Sequence, residues 1–134
     1  MESYTITMAV IKNGDAYLIA KRAATKRFAP NQWEFISGFI DTPETPEETI
    51  KRELAEELGA DGIIIKKTNP FNVTDDEGKW TVIPFLVELK TKNINARQED
   101  HSETKWVAAN ELNDYPDLKP FLEKKEIQKL LEAI

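Results

Sequence analysis

The chain reads as an α/β protein in which a mixed sheet carries helices on both faces. Apolar residues follow strand periodicity at 4–11 and 16–21, and strand-like stretches return at 63–67 and 79–89. Between these pairs lies one segment of helical period, 46–58, and an amphipathic stretch from Leu118 to Ile134 closes the chain. Strands before and after a central helix, with a second helix at the end, pack as layers around one core. At 134 residues a single domain over 1–134 is expected, large enough for a sheet and two or three helices. Strand order is left open by the pattern alone.

Taken in order, YTITMAVI (4–11) predicts a strand, Asn13-Gly14 a hairpin turn, and AYLIAK (16–21) the return strand. RAATKRFAPNQ (22–32) is polar and basic and predicts a loop. It brings Lys21, Arg22, Lys26 and Arg27 near the central helix, as solvated charges or as contacts to phosphate. Trp33 and Phe35 share one side of a short strand and read as core or pocket wall. After a strand at 63–67, Asn69-Pro70 interrupts, 71–76 shows no clear period, and DDEG (75–78) predicts a turn. Pro84, inside the long strand 79–89, calls for a bulge or an edge position. A polar loop (90–101), a short strand (104–107) and a helical turn (109–112) follow, the turn ended by Tyr115-Pro116. The terminal helix carries Leu118, Phe121, Leu122, Ile127, Leu130, Leu131 and Ile134 as its apolar stripe.

The chemistry concentrates between Gly38 and Ala60. Thr45 reads as an N-cap, Pro46 as the first helical residue, Glu48 as the capping-box partner and Gly59 as the stop. Within that register Glu53, Glu56 and Glu57 stand at i, i+3 and i+4, so three carboxylates share one sector. Ile50, Leu54 and Leu58 occupy the adjoining sector and face the core. Like charges at this spacing repel and weaken an isolated helix. A divalent cation bound between them removes that cost, and Mg²⁺ commonly sits between carboxylates and substrate phosphates. Gly38, in the turn before the helix, offers a backbone carbonyl as a further oxygen donor.

Gly38, Glu44, Arg52, Glu53, Leu54, Glu56, Glu57 and Gly59 stand at the spacing G-x5-E-x7-R-E-U-x-E-E-x-G-U, where U is a bulky aliphatic. This resembles the Nudix box. Ala60, in the last position, is smaller than the pattern asks, a change in packing. The flanking WEFISGFID is similar to the family's W-E-F-P-G-G-K-hydrophobic-E, with Ile36, Ser37, Phe39 and Asp41 departing from it. The resemblance implies an α/β/α sandwich and cleavage of a nucleoside diphosphate linked to another group. Water attacks phosphorus in such enzymes, with Mg²⁺ or Mn²⁺ as cofactor. It also implies Gly38, Glu53, Glu56 and Glu57 as metal ligands. Arg52 is expected to orient carboxylates through its guanidinium fork, with Glu44 as partner. Family members take the general base from the box or from an acidic residue on a later loop, here Glu99, Asp100 or Glu103. Asp100 lies six residues before Trp106, a spacing similar to the bacterial mutation-avoidance members. The expected catalytic set is therefore Arg52, Glu53, Glu57 and Asp100. His101 is a further proton acceptor near neutral pH, or has a surface or a hydrogen-bonding role.

Composition narrows the partners. With 24 acidic against 18 basic residues the net charge is −6, and no long basic patch is present, so extended nucleic acid is not an expected partner. There is no cysteine, which excludes disulfides and thiol catalysis, and disfavours the isoprenoid isomerases that share the Nudix fold. No apolar run reaches the ~18 residues of a membrane span and no signal peptide opens the sequence, so a cytoplasmic location is expected. ADP-ribose-processing members carry a proline about 16 residues beyond the box, where Asp76 stands here. Dinucleoside-polyphosphate members carry a tyrosine one or two places later, where Glu77 and Gly78 stand. The expected partner is a nucleotide or a nucleoside-diphosphate-linked small molecule; elimination and length favour a small nucleoside triphosphate, with nucleotide sugars, capped RNA ends and other diphosphates left open. Phe28, Phe39, Phe71, Trp80 and Trp106 are the candidates to stack on its base. The alternative is a nucleotide-binding sensor or interaction module on the same fold without turnover.

Overall fold

Strand β1 (Ser3–Asn13) is the spine of an eight-stranded mixed sheet in the computed structural model, which describes residues 1–132. The elements that follow are β2 (Ala16–Arg22), β3 (Trp33–Glu34), β4 (Ile36–Phe39), α1 (Pro46–Leu58), β5 (Ile63–Lys67), β6 (Phe71–Asp75), β7 (Gly78–Glu88) and β8 (His101–Ala108). Two 3₁₀ turns, Ala109–Asp114 and Pro116–Leu118, lead to α2 (Lys119–Leu122) and α3 (Lys125–Glu132). The main strand order is β3-β2-β1-β7-β5; β4 pairs with β1, β6 with β7 and β8 with β2. β1 and β7 run parallel from Ser3↔Lys79 to Lys12↔Glu88, and the other pairings are antiparallel.

Alternation along the strands divides the core in two. Met8, Val10, Ile19, Val82 and Leu86 point to the face covered by Leu118, Ile127 and Leu130. Ala9, Ile11, Leu18, Phe85 and Val87 point to the face covered by Ile50, Leu54 and Leu58 of α1. The sheet thus lies between helical layers, as expected. Ala60 packs at the edge of the α1 layer.

Three elements differ from the expectation. The stretch 71–76, without clear period, contains β6, which pairs with β7 from Phe71↔Val82 to Asp75↔Gly78. Its buried side is only Phe71 and, in part, Val73, too few points to display a period of two. β8 starts three residues early, so His101 belongs to a strand and not to the loop. The terminal helix is broken between Leu122 and Lys125. The step from Leu122 to Ile127 is five residues, which does not fit the three-or-four spacing of one helical face, and the break resets it. Ile134, the last residue of the expected stripe, lies outside the described residues. Pro84 is inside the sheet. β5 ends its pairing opposite Phe85 and β6 begins opposite Val82, so the proline falls where β7 changes partners. Among the described residues, no helix is long and apolar enough to cross a membrane.

Candidate active site

The box helix is fixed at both ends as the sequence predicts. The Thr45 hydroxyl accepts from the Glu48 amide at 3.2 Å, and the Glu48 carboxylate accepts from the Thr45 amide at 2.9 Å. Gly59 closes the helix in the left-handed region at φ 59°. Pairing of Ile6–Ala9 with Ile36–Phe39 then lays Gly38 against α1. A Cβ at Gly38 would stand 2.4 Å from the Glu53 carboxyl carbon, so only glycine leaves that carboxylate in place.

Arg52 is the hub of the outer acidic residues. Its Nε and Nη2 donate to the two Glu44 oxygens at 2.7 and 2.9 Å, the expected fork. Nη1 donates to Glu53 at 2.9 Å and to Glu56 at 3.3 Å, and Nη2 also reaches the Phe39 carbonyl at 3.1 Å. The Arg52 hydrogen bonds hold the Glu44 carboxyl down to about 2, against the opposing effect of burial, with the Asp41 amide and the Thr49 hydroxyl assisting. The same bonds raise Arg52 above its ordinary value.

Glu57 points the other way, into the protein. It is 6% exposed, and its Oε2 has no hydrogen-bond partner among the described residues. Its Oε1 lies 3.9 Å from Nδ1 of His101, which also lacks a partner among the described residues. The His101 ring is 1% exposed, and its Nε2 meets the Glu34 carboxylate at 2.9 Å. Glu34 in turn accepts from Arg22 Nη1 and from the Ser37 hydroxyl at 3.0 Å. Burial pushes the Glu57 carboxyl up to about 10, with the hydrogen bond and charge of Glu53 and the charges of Glu34 and Asp100 adding to it.

Of the three later acids, only Asp100 reaches this site; Glu99 and Glu103 are exposed and outside the cleft. Asp100 is 4% exposed and holds two cations, Lys26 on Oδ1 at 2.7 Å and Arg97 on Oδ2. Burial pushes its carboxyl up, but Arg97 and Lys26 together outweigh that and leave it below the ordinary value. The surface role weighed for His101 is corrected, since the strand start at His101 turns the ring into the core. Glu34 and Ser37 were not singled out as polar site residues. The signal for Glu34 was present, because Trp33 and Phe35 sharing one side puts Glu34 on the other.

Glu34, Arg52, Glu53, Glu56, Glu57 and Asp100 line one cleft of about 400 Å³, the size of a small-ligand pocket; Glu44 and His101 do not line it. One side of the cleft is aromatic, and there Asp75 accepts from the Trp80 indole N–H at 3.0 Å. Phe28, Phe39 and Trp80 line it, and Tyr4 backs Trp80 in a stack of 4.4 Å. Phe28 stands edge-on to Trp80 at 5.1 Å. Phe71 is a core residue, and Trp106 packs against the α1 layer with its Nε1 on the Lys92 carbonyl. Of the four basic loop residues, Arg22 and Lys26 reach the cleft, and Arg27 lies over the Phe28 ring at 4.7 Å.

Eight carboxylates and four basic side chains line the cleft. Among the described residues, no three potential metal-ligating side chains converge into a finished cage, and Glu53 and Glu56 are turned toward Arg52. The donor chemistry nonetheless fits a hard divalent cation. Oxygen ligands stand in excess of positive charge, and Glu57 has a buried oxygen with nothing to bind.

A mixed sheet between helices, with a helix-borne set of carboxylates lining a small-ligand cleft, is the architecture and site that the family assignment accounts for. The chain belongs to the Nudix family: the NUDIX domain matches residues 3–127. With membership goes the family's general chemistry, hydrolysis of nucleoside diphosphates linked to another group. A nucleoside triphosphatase NudI of Escherichia fergusonii is 37% identical over 126 residues, covering 86% of this chain and 89% of that protein. The NudI nucleoside triphosphatase of an Enterobacter species is also 37% identical, over 125 residues, with coverage of 84% and 87%. Among solved structures, a MutT protein from Methanosarcina mazei superposes with a TM-score of 0.78 at 20% identity, covering 97% of this chain and 91% of that one. At that identity the likeness concerns the fold.

Proposed function

We propose that the protein cleaves a pyrophosphate bond of a small nucleoside triphosphate, with Mg²⁺ as cofactor and Mn²⁺ able to substitute. The observation that carries this is the Glu57 carboxyl, buried beside Glu53 with one oxygen unpartnered among the described residues, in a cleft that also carries an aromatic cluster. Glu53, Glu56, Glu57 and the Gly38 carbonyl would hold the cation, which when bound lowers the pKa of water and draws charge from the phosphoryl group. The chain's own residues supply the rest. Arg52, anchored on Glu44, holds the Glu53 and Glu56 carboxylates at the cleft through its Nη1. Gly38 keeps the β4 backbone close to Glu53. Phe28, Phe39 and Trp80 offer ring faces and edges to a base and exclude water from their side of the cleft.

The triphosphate is favoured because the relatives at 37% identity are named nucleoside triphosphatases, and because the cleft combines aromatic rings with carboxylates and cations. Incubation with a panel of nucleoside triphosphates and diphosphate conjugates, with and without Mg²⁺, tests the reading. Turnover of triphosphates only with metal is the expected result. Tight nucleotide binding without product, in the presence of bound metal, would favour the sensor alternative and overturn the enzyme.

A further inference from the structure

We propose that Lys26 and Arg97 form a cationic subsite for a terminal phosphate group, and that Asp100 is the residue positioning the pair and not a proton acceptor. The proposal rests on the pyrophosphohydrolase reading for the identity of the ligand, and on the side-chain arrangement for the subsite itself.

Of the four basic side chains in the cleft, two are already engaged. Arg22 is held by Glu34 and the Phe28 carbonyl, and Arg52 by Glu44, Glu53, Glu56 and the Phe39 carbonyl. Lys26 and Arg97 each give one donor to Asp100. Among the described residues, the remaining N–H groups of Lys26 and both Nη groups of Arg97 have no side-chain or backbone acceptor, and both residues line the cleft. One carboxylate with two cations leaves a net positive charge at that point, in a cleft otherwise dominated by acids.

The pair is also placed accurately. Arg97 donates its backbone N–H to the Glu57 carbonyl at 2.8 Å, which ties the subsite to the end of the box helix. The Asp100 and His101 amides both return to the Arg97 carbonyl, and the Ala23 amide donates to the Asp100 carbonyl at 2.9 Å. The loop bearing Lys26 and the turn bearing Arg97 are therefore joined through Asp100, at a fixed place relative to the box glutamates. A terminal phosphate suits it better than an internal one, since it carries more charge and three acceptor oxygens. In this arrangement each oxygen of Asp100 already accepts from a cation, and the two positive charges disfavour its taking a proton from water.

Two arms test the proposal, run on the full chain at saturating Mg²⁺ after thermal melts establish that each variant folds. Calorimetric titration with inorganic triphosphate reads the subsite without catalysis, and kcat and KM for a nucleoside triphosphate read it during turnover. Lys26→Gln and Arg97→Gln should each weaken triphosphate binding and raise KM about tenfold, with Arg97→Lys partly restoring both. Binding of the free nucleoside, followed by Trp80 fluorescence, should not move. Asp100→Asn should shift KM and triphosphate affinity in the same direction, and leave the pH profile of kcat in place. A collapse of kcat in Asp100→Asn with unchanged KM and triphosphate affinity would make it the base and overturn the proposal. So would wild-type triphosphate affinity in both cation variants, which also decide the matter if Asp100→Asn does not fold. Should the wild type turn nothing over, the pyrophosphohydrolase reading falls, and the triphosphate titration still decides the subsite.

Discussion

Glu57 keeps one carboxylate oxygen without a partner among the described residues, beside three other acids. Its folded pKa stands near 10, against an ordinary 4.5, so over that interval the native state holds a proton the unfolded chain has released. Stability from this group is present below the lower value and is lost as pH rises toward the upper one. We expect the melting temperature of metal-free protein to fall from roughly pH 5 to 9 through this group, and Mg²⁺ to reduce the fall by taking the proton's place. An unchanged slope with and without metal would count against metal at Glu57. Glu57→Gln should keep the fold and lower turnover at least ~100-fold, because a neutral amide cannot replace the charge. Glu48→Gln is the control, since Glu48 caps the helix and stands outside the cleft. Comparable losses in both would point to a general effect of charge on the helix. Glu44 works with the opposite sign: its carboxyl is held to about 2, so the stability it brings is present above 4.5 and is lost as pH falls toward 2. Acid titration of Arg52→Gln, in which the fork is gone, should lack that component.

At this scale the sequence revealed the residues that lie close together along the chain. Glu44, Arg52 and the three glutamates sit within one capped helix and the loop before it, so the fork was expected once the Nudix box was read. Glu34 and His101 stand 67 residues apart and meet only because β2 pairs with both β3 and β8. No local pattern announces that contact. The separate surroundings of Glu56 and Glu57, one exposed and one interior, likewise depend on what α1 packs against.

The contact between β4 and α1 is the element-scale feature on which the site depends. Gly38→Ala inserts a methyl group where the Glu53 carboxyl now lies. The obstructing atoms are the end of a flexible side chain, so we expect a melting temperature close to wild type and a large loss of metal affinity, read by calorimetric titration with Mn²⁺. Substantial unfolding with normal metal affinity in the folded fraction would mean that Gly38 serves packing alone. Leu54→Ala probes the other side of the same helix. Leu54 is buried against the sheet, and its truncation should cost about 2–5 kcal/mol in denaturant melts. Caps, proline and glycine made α1 legible to the residue. β6 and the break between α2 and α3 were harder to see. β6 buries too little to show its period, and a five-residue step in an apolar stripe resembles one helix with a gap.

For the whole molecule, the parallel pairing of β1 with β7 joins residues far apart in sequence, Ser3 with Lys79 and Lys12 with Glu88, and sets the strand order. Layering was legible from the alternation of strands and helices, whereas this order was not. The sheet carries the box helix on one face and the C-terminal helices on the other, and its loops close an acidic cleft on a chain of net charge −6. A cation that binds this folded cleft and not the unfolded chain must stabilise the fold by mass action, by about 2.7 kcal/mol at a hundredfold excess over Kd. A melting temperature that rises with Mg²⁺ in wild type and much less in Glu57→Gln is the expected pattern. The most direct test of the central claim is product release from nucleoside triphosphates by wild-type protein, measured with Mg²⁺ and again after chelation. The structure and the family together predict turnover that appears with Mg²⁺ and disappears with the chelator. Equal rates in both conditions, or no product from any triphosphate with metal bound, would contradict it.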